Sequence, residues 1–512
     1  MDLAIKIIML VLFFGVMVGV GIYCRKNATD VNGFVLGGRS VGPWLTAFAY
    51  GTSYFSAVIF IGYAGQFGWK FGIASTWIGL GNAFIGSLLA WVILGRRTRI
   101  MTQHLDSATM PEFFGKRFNS KGLKIGASII TFIFLIPYTA SLYNGLSRLF
   151  SMAFNIPYVW CIIAMSVLTG IYVIAGGYMA TAINDFIQGI IMLFGIVAVI
   201  AAVLLNQGGF SEALTKLANV PSETPGAYNS FFGPEPMNLV FVVILTSLGT
   251  WGLPQMVQKF YAIKHENDIK KGTFISTAFA LVVAGGCYFL GGFGRLFDVD
   301  VAKNGFDSII PTMLGESNLP AILIAVVVIL VLSASMSTLS SLVIASSSTL
   351  TIDLLKGNII KKMDEKKQVL MIRIFVVVFI AISAFIAIYQ VKSKNESVKF
   401  IAQLMGVSWG ALAGAFLAPF LYGLYWKKTT KLACWVSFIF GSGIMLLNLF
   451  AKQIFPKILQ SPINCGAIAM LAGLVIVPIV SLISPKPDKK LVDDAFACYD
   501  KQVPAKQKNS LD

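Results

Sequence analysis

Residues 332–354 read LSASMSTLSSLVIASSSTLTIDL, a dense run of serine and threonine in a stretch that composition and flanks mark as a membrane span. In hydrocarbon a polar side chain costs free energy unless it faces another helix, a water-filled path or an ion. At about 3.6 residues per turn, Ser337, Ser340 and Ser341 share one face, with Thr338 one position around. Hard oxygen donors clustered like this suit a small hard cation, which takes hydroxyls and carbonyls and has no use for thiol or imidazole. Small hydroxyl residues also let helices pack closely. The segment alone therefore leaves two readings open, a packing seam or an ion site.

Of the 512 residues, 56% are hydrophobic and 12% charged, and the mean hydropathy is +0.78. Those values belong to polytopic membrane proteins and argue against a soluble enzyme. Apolar runs of about 20 residues, each enough for a hydrocarbon core of ~30 Å, recur from end to end. Thirteen are counted, the first at 3–24, the seventh at 237–258 and the last at 463–484. The expected fold is an all-α polytopic membrane protein with about 13 transmembrane helices. It comprises a transmembrane domain over 1–484 and a cytoplasmic tail over 485–512, lysine-rich and expected to be mobile. The first run lacks a strongly basic start and a small-residue cleavage site, so it is expected to remain a span.

A net charge of +17 raises the question of nucleic acid, and the placement of the charge answers it. With the N-terminus outside, most of the 40 Lys and Arg residues fall on the cytoplasmic side, as the positive-inside rule requires. Lys259, Lys264, Lys270 and Lys271 are counted to one such inner loop. An odd number of spans puts the C-terminus in the cytoplasm. The cysteines are scattered without paired spacing, so neither a disulfide framework nor a metal knuckle is expected.

Two runs are interrupted in a similar way. The second carries Gly51, Thr52 and Ser53, then Gly62, Gly65 and Gly68; the seventh carries Gly249 and Thr250 before Trp251, then Gly252 and Pro254. Unwound backbone at membrane depth is tolerable only where its carbonyls and amides meet a ligand or lie within protein. Paired breaks opening two halves predict an inverted-repeat transporter with its site at the breaks. The repeats run approximately over 43–206 and 237–425, five spans each, and an odd number is what lets consecutive repeats be inverted.

Six stretches carry a resemblance. They are FVLGGRSVGPWLTAFAYGTSYFSAVIFIGYAG (34–65), ATMPEFFGKRF (108–118), YTASLYNGLSRLF (138–150), AGGYMATAINDFIQ (175–188), GTWGLPQMVQKFYA (249–262) and SASMSTLSS (333–341). In order and placement they resemble the sodium/solute symporter family over nearly the whole chain, and are most similar in pattern to sodium/proline symporters. The resemblance implies a five-plus-five inverted-repeat fold. It also implies a sodium site made by the carbonyls of Thr52, Phe55 and Ala334 and the hydroxyls of Ser337 and Thr338. Independently, Ala334 and Thr338 stand one i,i+4 step apart, so carbonyl and hydroxyl can meet one ion. A second sodium, present in some relatives, would map to Asp185, Ser340 and Ser341. Taken alone, Asp185 reads equally as an acid at a helix N-terminus, favoured by the macrodipole, or as a functional intramembrane ionisable group.

For the solute, the implied lining residues are Tyr54, Ser56, Tyr138, Trp251 and Gln255, with Trp77, Asn82 and Tyr143 as further candidates. Two departures matter: Tyr54 stands where the proline symporters carry an acid, and their span-seven tryptophan is not in register here. The expected function is sodium-coupled secondary active uptake of a small organic solute by alternating access, an amino acid such as proline. Sugar, sialic acid and pantothenate remain alternatives. A carboxylate can be held by amides freed at helix breaks and by a nearby sodium, which favours a zwitterion over a sugar. An ion channel is the rival of another class, but channels usually assemble filters symmetrically from several subunits. An enzyme fits poorly, with only His104 and His265 and no triad or metal-ligand spacing in the spans. The expected partners are sodium, the solute and the lipid bilayer of the cell membrane, with no nucleic acid, no obligatory protein partner and no cofactor beyond the coupling ion.

Overall fold

Long apolar runs fold as helices because a helix closes its backbone hydrogen bonds within one segment. The computed structural model describes residues 2–154, 157–392 and 401–499. Among them ten helices are long and apolar enough to cross a membrane, or eleven if one bent pair counts as a single span. The described residues contain two isolated β-bridges, Val41 with Ile263 and Lys356 with Ile360.

Nine helices among the described residues frame the breaks, the buried charges and the tail. They are α1 (Pro43–Tyr54), α2 (Met110–Arg117), α3 (Lys121–Phe154), α4 (Tyr158–Asn206) and α5 (Pro236–Leu248). Then come α6 (Pro254–Tyr261), α7 (Ala321–Ser348), α8 (Ile401–Tyr425) and α9 (Lys489–Phe496). The most apolar window of Gln403–Tyr425 is 94% buried and that of Ala321–Leu355 is 78% buried, against 22% for Lys6–Asn27. Thus α7 and α8 are the centre of the bundle and the N-terminal helix is periphery. On the outside Phe194, Phe385, Ile439 and Phe450 are exposed, an apolar surface of the kind that hydrocarbon covers.

Two local devices set the geometry. Within α4, Gly177 takes φ 54° and ψ −146°, a region essentially reserved for glycine, which breaks this 49-residue helix. Gly37 and Gly38, at φ 58° and 67°, turn the chain so that Arg39 reaches back into the protein. Its guanidinium donates to the carbonyls of Tyr261 (3.1 Å), Thr102 (3.3 Å) and Ser107 (2.6 Å) and so ties down the end of α6. Burial lowers the pKa of Arg39 from the usual arginine value.

The tail differs from expectation over its first part. Asp488 caps α9 by accepting from Lys490 N at 2.8 Å, and Val492, Ala495 and Phe496 form a buried apolar face. Phe496 lies 4.8 Å from the Arg117 guanidinium, Lys427 pairs with Asp493 at 3.0 Å, and His104 Nε2 is 2.8 Å from the Asp494 carbonyl oxygen. A short amphipathic helix with a basic rim to dock on is therefore folded, not mobile. Residues 500–512 of the expected tail lie outside the described residues.

Candidate ion and solute site

The two interrupted spans break at one extended residue each. Helix α1 ends at Tyr54, Phe55 takes φ −84° and ψ 121°, and the chain re-enters a helix with π-type turns over Val58–Tyr63. Helix α5 runs through a tight turn at Gly249–Gly252 to Leu253, with φ −87° and ψ 120°, before α6 starts at Pro254, bent by 47°. Leu253 is extended for a local reason: the residue before proline is pushed out of the helical region. Phe55 has no such neighbour. The expected position of this break was slightly off, since Gly51, Thr52 and Ser53 are still helical.

What meets the break at Phe55 is the serine-rich face of α7. Ser337 Oγ lies 3.1 Å from both the Thr52 and Ala334 carbonyl oxygens. Thr338 Oγ1 lies 3.3 Å from Thr52 O, 3.3 Å from Phe55 O and 3.0 Å from Ala334 O. Five oxygens from two unlike helices thus converge, all from residues 0–1% exposed. Each hydroxyl has a single proton to donate and every carbonyl has two lone pairs, so the cluster is rich in acceptors and poor in donors. A small hard cation is the guest such a set can hold.

One turn further along α7 the chemistry changes. Ser341 Oγ lies 2.7 Å from Ser53 Oγ and 3.1 Å from the Ser337 carbonyl oxygen, and it accepts from Lys259 Nζ at 2.9 Å. The same ammonium lies 3.7 Å from Asp185 Oδ2 and 5.0 Å from the Tyr178 ring centroid. Lys259 and Asp185 are 2% and 0% exposed, and neither carboxylate oxygen has a hydrogen-bond partner. Ser340 turns its hydroxyl to the Ser337 carbonyl instead, at 2.9 Å. Lys259 is thus buried within α6, and its assignment to an inner loop is corrected.

Toward the other side of the Phe55 break, Tyr54 and Tyr138 each lie 5.9 Å, ring to ring, from Trp409 on α8. A methyl group placed on Gly249 would sit 3.5 Å from that indole, so Trp409 lies beside the second break as well. Tyr54 OH and both amide atoms of Gln255 are buried without a hydrogen-bond partner, and Tyr138 OH, Ser56 Oγ and Trp409 Nε1 are buried facing one another. Buried polar groups are normally paired, and unpaired ones that line a helix break suit a polar ligand.

Residues 34–441 match the Sodium:solute symporter family. The chain belongs to that family. This symporter is 28% identical to the osmoregulated proline transporter OpuE of Bacillus subtilis (strain 168) over 491 residues, covering 94% of this chain and 96% of that one. It is also 28% identical to the sodium/proline symporter of Staphylococcus aureus (strain JH9), with 94% and 93% covered. Its fold matches that of a Na+-coupled sialic acid symporter solved in a substrate-bound outward-open state. The TM-score is 0.77 at 17% identity, over 94% of this chain and 98% of the other.

One predicted residue of the symporter, Trp77, lies apart from the breaks. Trp251 donates its indole N–H to the Ile85 carbonyl at 3.0 Å, which anchors the second break. Trp77 does not join the site: it donates to Phe231 O at 2.9 Å and packs on that ring. Asn82 accepts from Ser247 at 3.0 Å. Two residues were missed, Lys259 and Trp409. The signal for Trp409 was a lone tryptophan among small residues, GVSWGALAG; for Lys259 no local signal existed.

Proposed function

We propose that this symporter couples sodium entry to the uptake of a small zwitterionic, carboxylate-bearing solute, an amino acid of the proline class. The observation that carries the proposal is the convergence of five neutral oxygens from Thr52, Phe55, Ala334, Ser337 and Thr338 beside a helix break. Sodium there would supply the positive charge that a solute carboxylate needs, together with amides freed at the breaks. Tyr54, Ser56, Tyr138 and Gln255 would give hydrogen bonds, with Trp251 and Trp409 as apolar walls. The two relatives named above are proline transporters and match along almost their full length, which supports this class over sialic acid, where the likeness is one of fold.

The proposed topology has thirteen spans with the N-terminus outside and the C-terminus cytoplasmic. Val58–His104 and Tyr158–Asn206 have 47 and 49 residues, and at 1.5 Å per residue such a helix reaches roughly 70 Å, more than twice the ~30 Å hydrocarbon core. If each crosses twice, eleven spans become thirteen. The near-identical extended residues Phe55 and Leu253 support the inverted repeat of 43–206 and 237–425.

Uptake into proteoliposomes with sodium and proton gradients imposed separately tests the function. Proline or another amino acid should accumulate on a sodium gradient alone. A hexose, pantothenate or sialic acid response without any amino-acid response would overturn the solute, and uptake driven by protons alone would overturn the coupling ion. For topology, in a background free of native cysteines, a cysteine at Ser222 should label from outside and one at Lys489 from inside only.

A further inference from the structure

We infer that the Lys259 ammonium is a tethered cation that occupies the second cation position of this symporter, so that each transport cycle carries a single sodium. The inference rests on the sodium-coupled reading above and goes beyond it, because it assigns the stoichiometry to one side chain.

Four helices meet at this point: α1 through Ser53, α4 through Asp185, α6 through Lys259 and α7 through Ser341. Asp185 is the natural anion for a sodium at this depth, yet the group within 3.7 Å of it is an ammonium. That ammonium also takes the Ser341 hydroxyl at 2.9 Å, one of the hydroxyls a second sodium would need. Ser341 in turn bonds the carbonyl of Ser337 at 3.1 Å, and Ser337 belongs to the first cluster. The tethered charge is therefore one residue removed from the sodium site.

The charge balance of the two clusters differs accordingly. Around Ser337 and Thr338 the donors are neutral oxygens, and a guest cation adds the only charge. Around Asp185 the carboxylate is already neutralised by Lys259, and Tyr178 adds no charge. A sodium placed there would face a like charge at close range while gaining little from a carboxylate already paired. An ammonium held by its own backbone does not dissociate, so this position consumes no ion from the gradient.

The test removes the tethered charge and counts ions. Purified protein is assayed for equilibrium binding of radioactive sodium and for the ratio of sodium to solute flux in proteoliposomes, as wild type, Lys259→Met, and Lys259→Met with Asp185→Asn. Wild type should bind one sodium and move one per solute. Lys259→Met should expose Asp185, bind two sodium ions per protein and depend sigmoidally on sodium. The double variant should return to one, with a hyperbolic dependence. A wild-type count of two, or a Lys259→Met protein that stays folded by thermal melting and still binds one, overturns the inference. If Lys259→Met does not fold, the charge-neutral double variant decides, and a count of two or none there overturns it. Absence of sodium-driven uptake in wild type would instead defeat the transport reading, so the two failures are distinguishable.

Discussion

Two buried carboxylates in this symporter each face a lysine, and they are built differently. Asp353, just beyond α7, lies 3.4 Å from Lys124 of α3, and it also accepts from the Thr109 hydroxyl at 2.6 Å. Lys124 donates further to the Ile352 carbonyl at 3.0 Å. Asp185 lies 3.7 Å from Lys259 and accepts no hydrogen bond. Of the four carboxylate oxygens only Asp353 Oδ2 accepts a hydrogen bond, and a charge held by a hydrogen bond as well as an ion pair resists separation more than one held by the ion pair alone. Asp353 is therefore a clasp joining Thr109, Lys124 and the end of α7, whereas Asp185 is held by its ion pair alone.

The largest effect expected from that contrast is on stability. Asp353→Ala strands Lys124 and Thr109; breaking a buried pair from one side costs about 3–5 kcal/mol, and Lys124, 21% exposed, belongs at the lower end. The melting temperature of the purified protein should fall clearly, while half-saturating sodium in the surviving uptake stays within about twofold. An unchanged melt would dismiss the clasp.

A smaller difference separates the two charge-neutral doubles. Asp353→Asn with Lys124→Met should still lose about 1–2 kcal/mol, because the charged hydrogen bonds to Thr109 and Ile352 weaken or vanish. Asp185→Asn with Lys259→Met loses no hydrogen bond to the carboxylate and should melt near wild type. Melts that fall equally would erase the distinction.

Ser337→Ala and Thr338→Ala sharpen it from the uncharged side. Each removes one oxygen with little volume, and about 1 kcal/mol of lost ligation corresponds to a roughly fivefold rise in half-saturating sodium. Sodium-free melting should stay as in wild type. Two alanine variants with wild-type sodium dependence would remove the site assignment.

The smallest effect is expected at the tail. Phe496→Leu keeps an apolar side chain on α9 and gives up the contact with Arg117, worth ~0.5–1 kcal/mol. Faster proteolysis of the tail with unchanged uptake is expected. Altered sodium dependence would mean that the tail reaches the transport site.

The hydroxyl face of α7 was legible in the chain itself, because helical periodicity depends only on neighbours and a serine run in hydrocarbon demands a partner. Helices α5 and α7 were equally clear as apolar runs, and Pro254 announces the break before it from sequence alone. The tail was misjudged because polar composition hides a short amphipathic face, Val492, Ala495 and Phe496, whose stability comes from the helices it docks on. The break at Phe55 was placed slightly early, since no local residue forces it and the carbonyls it frees are taken by another helix. Lys259 lay one residue past the apolar run expected at 237–258 and was counted among loop lysines. Whether such a lysine faces water or a carboxylate depends on which helix lies opposite, and only the packing of α4 against α6 brings Asp185 to it. Periodicity, turn chemistry and apolar length are properties of neighbouring residues, so the chain alone determined the helices and the oxygen-rich face. The pairing of charges across distant helices is a property of the packed bundle, and there the tertiary structure decided.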